Sequence, residues 1–165
     1  MRKILFLDID GVLNSFQHKG NARQDPVYDL LGSQVAGISK ILGLRLKALL
    51  DICPTIEVVL TSHWKTDYFI EARVGFERLG IKQIIKSRTP ITNHFRGLEI
   101  DAWLTRYGDE PIRYAILDDE ANILIQQAPA LFQTHIKYGL TENLVDELIM
   151  FFAEEHPNYE QGIYK

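Results

Sequence analysis

A single cysteine, Cys53, occurs in the 165 residues, so neither an intrachain disulfide nor a cysteine zinc site can be built. Cys53 reads as a small buried apolar residue. No apolar stretch approaches the length of a membrane span. The apolar run after Met1-Arg2-Lys3 stops at Leu7 and meets an aspartate, too short for a signal peptide, so a cytoplasmic protein with no membrane partner is expected. No lysine- or arginine-rich run is visible and the formal net charge is −4, which disfavours non-specific binding to long nucleic acid. Arg2, Lys3, Arg96 and Arg106 could still form a local basic patch. Internal repeats and low-complexity segments are absent.

What is present suffices for one core, since 46% of the residues are hydrophobic. Residues 1–155 read as a single domain and 156–165 as a C-terminal tail without periodicity. Residues 3–8 (KILFLD) read as a strand buried on both faces, because the apolar run is continuous. Residues 11–33 read as irregular, with room for a hairpin or flap over the site. Helical spacing predicts an amphipathic helix over 34–51, then a strand over 56–60, a helix over 66–78 closed by Gly80, and a third strand over 81–86. A helix over 96–107 ends at Gly108, with Ile100 and Trp103 as core and Glu99 and Asp101 on its wet side. Strands over 112–118 and 131–136 follow, and Thr141 caps a last helix carrying Val145, Leu148, Ile149 and Phe152. This βα alternation predicts an α/β fold, an open parallel sheet of about five strands with helices on both faces.

Ligands of open parallel sheets bind beyond the carboxyl ends of the strands. The first strand ends in Asp8 and Asp10, the second in Thr61 and Ser62, and the fourth in Asp118 and Asp119. If these strands are neighbours, four carboxylates converge, and like charges at that range need a cation. All-oxygen ligands without histidine or cysteine suit a hard ion, Mg²⁺ first. Gly11 permits a tight turn after the strand and keeps backbone N–H groups open to an anion. A fixed carboxylate beside a metal is the arrangement for nucleophilic attack on phosphorus.

Phe6-Leu7-Asp8-Ile9-Asp10-Gly11-Val12-Leu13 resembles the first motif of the haloacid dehalogenase-like (HAD) superfamily in its phosphatase form. Val58-Val59-Leu60-Thr61 resembles the second motif, and Ala115-Ile116-Leu117-Asp118-Asp119 the fourth. The resemblance implies Asp8 as nucleophile and Asp10 as the acid that protonates the leaving oxygen and then activates water. It implies Thr61 as a hydrogen-bond partner of a phosphoryl oxygen, with Ser62 as the alternative. Asp8, the Asp10 main-chain carbonyl and Asp118 would hold Mg²⁺, with Asp119 acting through a water on the ion or by orienting its neighbours. The second aspartate argues against a dehalogenase, since the haloacid dehalogenases of this superfamily lack it. For the third-motif cation, Arg96 is the choice and Lys65 the rival; a guanidinium can grip phosphate in bidentate fashion.

Other residues near these motifs read more plainly. Ser62 otherwise caps the next helix. Trp64 reads as a packed aromatic, with stacking on a base or lining the entrance as the alternative. His135 reads as a hydrogen-bonded structural histidine and Asn14 as a residue that turns the backbone.

Superfamily enzymes acting on small metabolites usually carry a cap domain inserted after the first or second motif. About 45 residues separate Asp10 from Ile56 and about 34 separate Thr61 from Arg96, too few for a full cap once core helices are counted. An uncapped site suits large substrates. The stretches LTSHW, RGLEIDAWL, ILDDE and GLT are similar to the phosphatase domains of multi-domain RNA-repair proteins and, more distantly, to polynucleotide 3′-phosphatases. The expectation is a Mg²⁺-dependent phosphomonoester hydrolase whose partner is a phosphorylated substrate, with nucleic-acid ends and nucleotides among the candidates. A phosphotransferase and a non-catalytic binding or regulatory module on the same scaffold are the alternatives.

Overall fold

The unbroken apolar run of β1 (Arg2–Leu7) divides between two faces, because successive strand side chains point opposite ways. Leu5 and Leu7 enter one apolar cluster and Ile4 and Phe6 another. The computed structural model describes residues 1–19, 23–31, 36–92, 95–153 and 163–164. In it β1 lies at the centre of a sheet ordered β3-β2-β1-β4-β5, where β2 is Ile56–Leu60, β3 Ser87–Arg88, β4 Ile112–Asp118 and β5 Leu131–Gln133. All of these pair in parallel.

Three helices, α2 (Lys40–Ile52), α4 (Phe69–Arg78) and α6 (Glu142–Ala153), cover one face, placing Leu42, Leu46, Phe76 and Leu148 against Leu5 and Leu7. Helix α5 (Arg96–Tyr107) covers the other with Ile100, Trp103 and Leu104. Trp103 meets Phe6 edge-on at 5.3 Å between centroids, and its indole N–H donates to Ser87 Oγ at 3.1 Å, so the one polar atom of the ring is satisfied. The fold is the expected open α/β sheet with helices on both faces. Among the described residues, no separate domain is inserted between β1 and β2 or between β2 and α5. No helix among them is long and apolar enough to cross a membrane.

Several boundaries differ from expectation. The helix expected over 34–51 begins at Lys40; residues 36–39 are not helical, and 34–35 lie outside the described residues. Asp25 explains the late start: its Oδ1 accepts the N–H of Ile38 at 3.2 Å and of Val27 at 2.9 Å, taking the donor a helix would use. The helix expected over 66–78 is two pieces, α3 (Trp64–Asp67) and α4, because Tyr68 leaves the helical region at φ −129°. No strand forms over 81–86. Ile81 and Ile85 pack into the core beside α4; the first backbone bond to β2 is from Lys86 N–H to Val58 O at 3.3 Å, and the strand register begins at Ser87.

The fifth strand stops at Gln133. Beyond it the chain turns back through Gly139, at φ 67°, and His135 bridges Gly139. Within 11–33, a short helix α1 (Tyr28–Leu31) forms, and residues 15–18 make a tight turn closed by reciprocal Ser15–His18 backbone bonds and tied to the turn after β5: Phe16 N–H donates to Ile136 O and Gln17 N–H to Lys137 O, both at 3.1 Å. Residues 20–22 and 32–35 lie outside the described residues. Thr141 caps α6 as expected, its Oγ1 accepting Leu144 N–H at 3.3 Å. In the tail, Ile163–Tyr164 forms β6, antiparallel to the start of β4, a pairing that periodicity does not signal.

Candidate active site

Register brings the three polar strand ends together. Leu7 is level with Leu60 on one side and Leu117 on the other. The next residues are therefore neighbours: Asp8 N–H donates to Leu117 O at 3.0 Å, and Thr61 N–H to Leu7 O at 2.8 Å. Asp8 is buried, with its Oδ1 held by Ile9 N–H at 2.8 Å.

Arg96, on the first turn of α5, reaches all three strand ends. Its guanidinium lies 3.5 Å from Asp8 Oδ2 and 3.3 Å from Asp118 Oδ2, and donates to Thr61 Oγ1 at 2.7 Å. Burial works against its charge, but Asp8 and Asp118 outweigh burial and raise its pKa. Because Thr61 Oγ1 accepts from Arg96, its own proton remains available to donate into the pocket.

Asp8, Asp118 and Asp119 bring carboxylate oxygens within 4.8 Å of one another. Asp118 is 1% exposed; its Oδ1 accepts Glu120 N–H at 3.0 Å, while Oδ2 has no aligned hydrogen-bond donor. Burial first, and then the charge of Asp8, pushes the Asp118 pKa up to about 7, with Arg96 opposing. Asp119 is raised by the same two causes. A buried oxygen without a hydrogen-bond donor, an all-oxygen donor set and repulsion that Arg96 only partly offsets together fit a hard divalent cation. Gly11 makes the cluster compact. It sits at φ 73°, and a Cβ there would lie 2.3 Å from the Asp119 carboxyl carbon.

The Asp10 side chain is not part of this cluster. Asn14 Nδ2 donates to Asp10 Oδ1 at 2.8 Å and to Gly37 O at 3.0 Å, while Asn14 Oδ1 accepts Gly11 N–H at 3.1 Å. Asn14 thus turns the backbone as expected, and also holds Asp10. Desolvation of the Asp10 carboxyl raises its pKa, the Asn14 bond opposes this, and Asp8 adds to it.

Lys65, the rival third-motif cation, and Glu99, expected on a wet face, form a buried pair with each other. Glu99 is buried, not on a wet face, because Lys65 Nζ meets its Oε2 at 2.5 Å. The ammonium also donates to Thr89 Oγ1 at 3.1 Å and Pro90 O at 3.3 Å, which uses its three donors. Ser62 Oγ accepts Trp64 N–H at 3.3 Å, one residue ahead of the N-cap His63 of α3. Trp64 is buried and meets Tyr68 edge-on, and its side chain also hydrogen-bonds Asp10. His135 Nδ1 accepts Lys137 N–H at 3.1 Å. A cavity of about 60 Å³, lined by Thr61, Lys65, Arg96, Glu99 and Asn122 among others, shares Thr61 and Arg96 with the site but is lined by none of the three clustered carboxylates. Larger grooves around Arg73 and Gln83 contain none of the cluster.

The anticipated basic patch does not form. Arg2 and Lys3 open β1 and Arg106 closes α5, whereas Arg96 is at the opposite end of both elements. Six strand residues put roughly 20 Å between those ends. Arg2 is paired with Glu57 and with Tyr107 O.

No sequence motif assigns a role to Gly97 or Gln127. A Cβ at Gly97 would lie 2.4 Å from Leu124 N, so only glycine lets the start of α5 approach the loop that follows Asp119. Buried Gln127 locks this approach, donating to Gly97 O and accepting Leu124 N–H, each at 3.0 Å. Glycine just inside a helix, where no C-cap is needed, was the available signal for a close approach.

The raised acids predict a pH dependence. Asp118 titrates near 7 when folded and near its ordinary 3.8 when unfolded, so between those values the folded state binds more protons. Stability of the chelator-treated protein therefore falls as pH rises from 5 to 7.5. Added Mg²⁺ is expected to raise the melting temperature, more at pH 7.5 than at pH 5. A melting temperature indifferent to Mg²⁺ at pH 7.5 contradicts the assignment of the cluster.

A family model described as the HAD domain in Swiss Army Knife RNA repair proteins matches residues 4–145. The chain belongs to this family. Comparison with curated proteins and with solved structures finds no match. Membership suggests a phosphatase-like hydrolase and relates the domain to RNA-repair proteins. The matched span runs from β1 into α6 and contains every carboxylate of the cluster together with Arg96.

Proposed function

We propose that this HAD domain, carried by residues 1–155, is a Mg²⁺-dependent phosphomonoester hydrolase that works through an aspartyl-phosphate on Asp8. Its open site suits a large substrate, with a phosphorylated nucleic-acid end or nucleotide as the substrate class. The observation that carries the reading is Arg96, which spans Asp8, Asp118 and Thr61 beside the three clustered carboxylates.

Asp8, Asp118 and the Asp10 main-chain carbonyl would hold Mg²⁺, with Asp119 orienting them. When bound, the ion supplies positive charge that offsets the oxygens of the transferring phosphoryl group. Arg96 and the Thr61 hydroxyl proton bind phosphoryl oxygens in the adjoining cavity. An Asp8 carboxylate oxygen attacks phosphorus, the P–O ester bond breaks, and the Asp10 carboxyl gives its proton to the leaving oxygen. The raised Asp10 pKa favours the protonated form that this step needs. Asp10, now ionised, takes a proton from water, whose oxygen attacks phosphorus and expels the Asp8 carboxylate with inorganic phosphate. Arg96 serves as the third-motif cation, since Lys65 is committed to Glu99.

The test is phosphate release from an aryl phosphate, nucleotides, sugar phosphates and 3′- or 5′-phosphorylated oligonucleotides, with Mg²⁺ and with chelator. Turnover is expected only with the metal, and fastest on the oligonucleotides or nucleotides. Turnover equal in chelator would overturn the metal dependence, and no turnover of any substrate would overturn the hydrolase reading.

A further inference from the structure

Two loops at the carboxyl end of the sheet carry exposed rings and cations that the hydrolase chemistry does not use. Phe16 is 63% exposed and Tyr138 43% exposed. Lys19 Nζ lies 5.5 Å from the Phe16 ring centroid and Lys137 Nζ 5.1 Å from that of Tyr138. The His135 ring stands 5.5 Å from Tyr138. In a chain of net charge −4, neither residues 15–19 nor residues 133–140 contain an aspartate or glutamate.

These loops form one surface and are anchored to the site. The backbone bonds of Phe16 and Gln17 to Ile136 and Lys137 hold them side by side. Thr134 N–H donates to Asp118 O at 2.9 Å and Thr134 Oγ1 to Gly11 O at 2.8 Å. Leu140 N–H donates to Val12 O at 2.9 Å. The surface therefore begins one residue from the backbone of the metal-binding cluster and cannot shift independently of it. Exposed large rings clustered with one sign of charge mark a contact surface.

The geometry points to a nucleotide-binding platform, formed by Phe16, Lys19, His135, Lys137 and Tyr138, that takes the bases and backbone phosphates of a single-stranded nucleic acid whose phosphorylated end lies at Asp8. Each ring offers a face to a base and each ammonium a partner for a phosphate, the pairing that sequence-tolerant single-strand sites use. A duplex end would keep its bases stacked on one another and gain little from the rings. The proposal rests on the hydrolase reading for where the strand ends, but its binding surface is separate from the reacting groups.

The test is fluorescence anisotropy of a labelled single-stranded 8-mer carrying a terminal phosphate, in chelator, against the full chain. Phe16→Ala/Tyr138→Ala is expected to weaken binding by about 10-fold or more. Lys19→Ala/Lys137→Ala is expected to lower the slope of log affinity against log salt by about 1.4, two phosphate contacts on a single strand. Arg73→Ala/Lys82→Ala, a charge loss of the same size on the groove beside α4, is the control and leaves binding unchanged. A duplex of equal length, or an acidic phosphopeptide of equal charge, that binds as tightly as the single strand overturns the platform, as does equal weakening by the control pair. Phosphate release from an aryl phosphate in Mg²⁺ separates the two readings. Release without single-strand binding sinks the platform alone, and ring-dependent binding without release sinks the hydrolase alone.

Discussion

Replacing Asp8 by asparagine is expected to reduce phosphate release by roughly 10³-fold or more, because the amide removes the attacking oxygen charge. The fold should survive. Asp8 is one of three acids crowded within 4.8 Å, so neutralising it relieves repulsion that Arg96 only partly offsets. Arg96 keeps Asp118 and Thr61 as partners. The same change removes one of the two main causes raising the Asp118 pKa, which should move down toward the ordinary carboxylate range. The melting temperature of the chelated variant should therefore depend less on pH between 5 and 7.5 than that of the unsubstituted protein. Single-turnover phosphate release, with thermal melting as the folding control, checks both. Retained turnover would assign the nucleophile elsewhere.

Glu99→Ala is expected to be the most destabilising single change near the site. Both side chains of the Lys65–Glu99 pair are almost fully buried, at 6% and 5% exposure. Removing the carboxylate strands an ammonium in the interior, which typically costs about 3–5 kcal/mol. In a chain of this length that is a drop in melting temperature of roughly 10 °C. Thr92 N–H, which donates to the other Glu99 oxygen at 3.2 Å, loses its partner too. Replacing both partners, as Lys65→Met with Glu99→Leu, should recover much of the loss, because no uncompensated charge is left. Glu99 lies one helical turn after Arg96, so the pair also fixes the orientation of the helix that presents the guanidinium. A melting temperature of Glu99→Ala within about 2 °C of the parent would show that the pair is not structural.

The strongest parts of the site were legible because they are local. Asp8-Ile9-Asp10-Gly11 and Asp118-Asp119 each follow an apolar run, and a carboxylate at the mouth of a buried strand is conspicuous in any chain. The continuous runs also announced strands buried on both faces, hence a parallel sheet with helices on each side. Arg96 was identifiable as a cation at a helix start. Glu99 was misread for a reason of the same kind: its partner Lys65 is 34 positions away, and helical periodicity carries no information about a partner on another element. Residues 81–86 show the limit from the other side, since an apolar run can mark burial without sheet pairing.

Sequence by itself determined the sheet's direction of burial, the acids at its carboxyl edge and the family of the chain, because each is written in short contiguous segments. Only the tertiary structure decided which charges meet. It set β1 between β2 and β4, so that Asp8, Thr61 and Asp118 share one edge, and gave Arg96 to the nucleophile and Lys65 to Glu99. It also sent Arg2 and Arg106 to the far end of the sheet while drawing Phe16 and Tyr138 to the near one. Coulomb energy depends on distance in space, and distances between segments far apart in the chain are fixed only when the strands take their register.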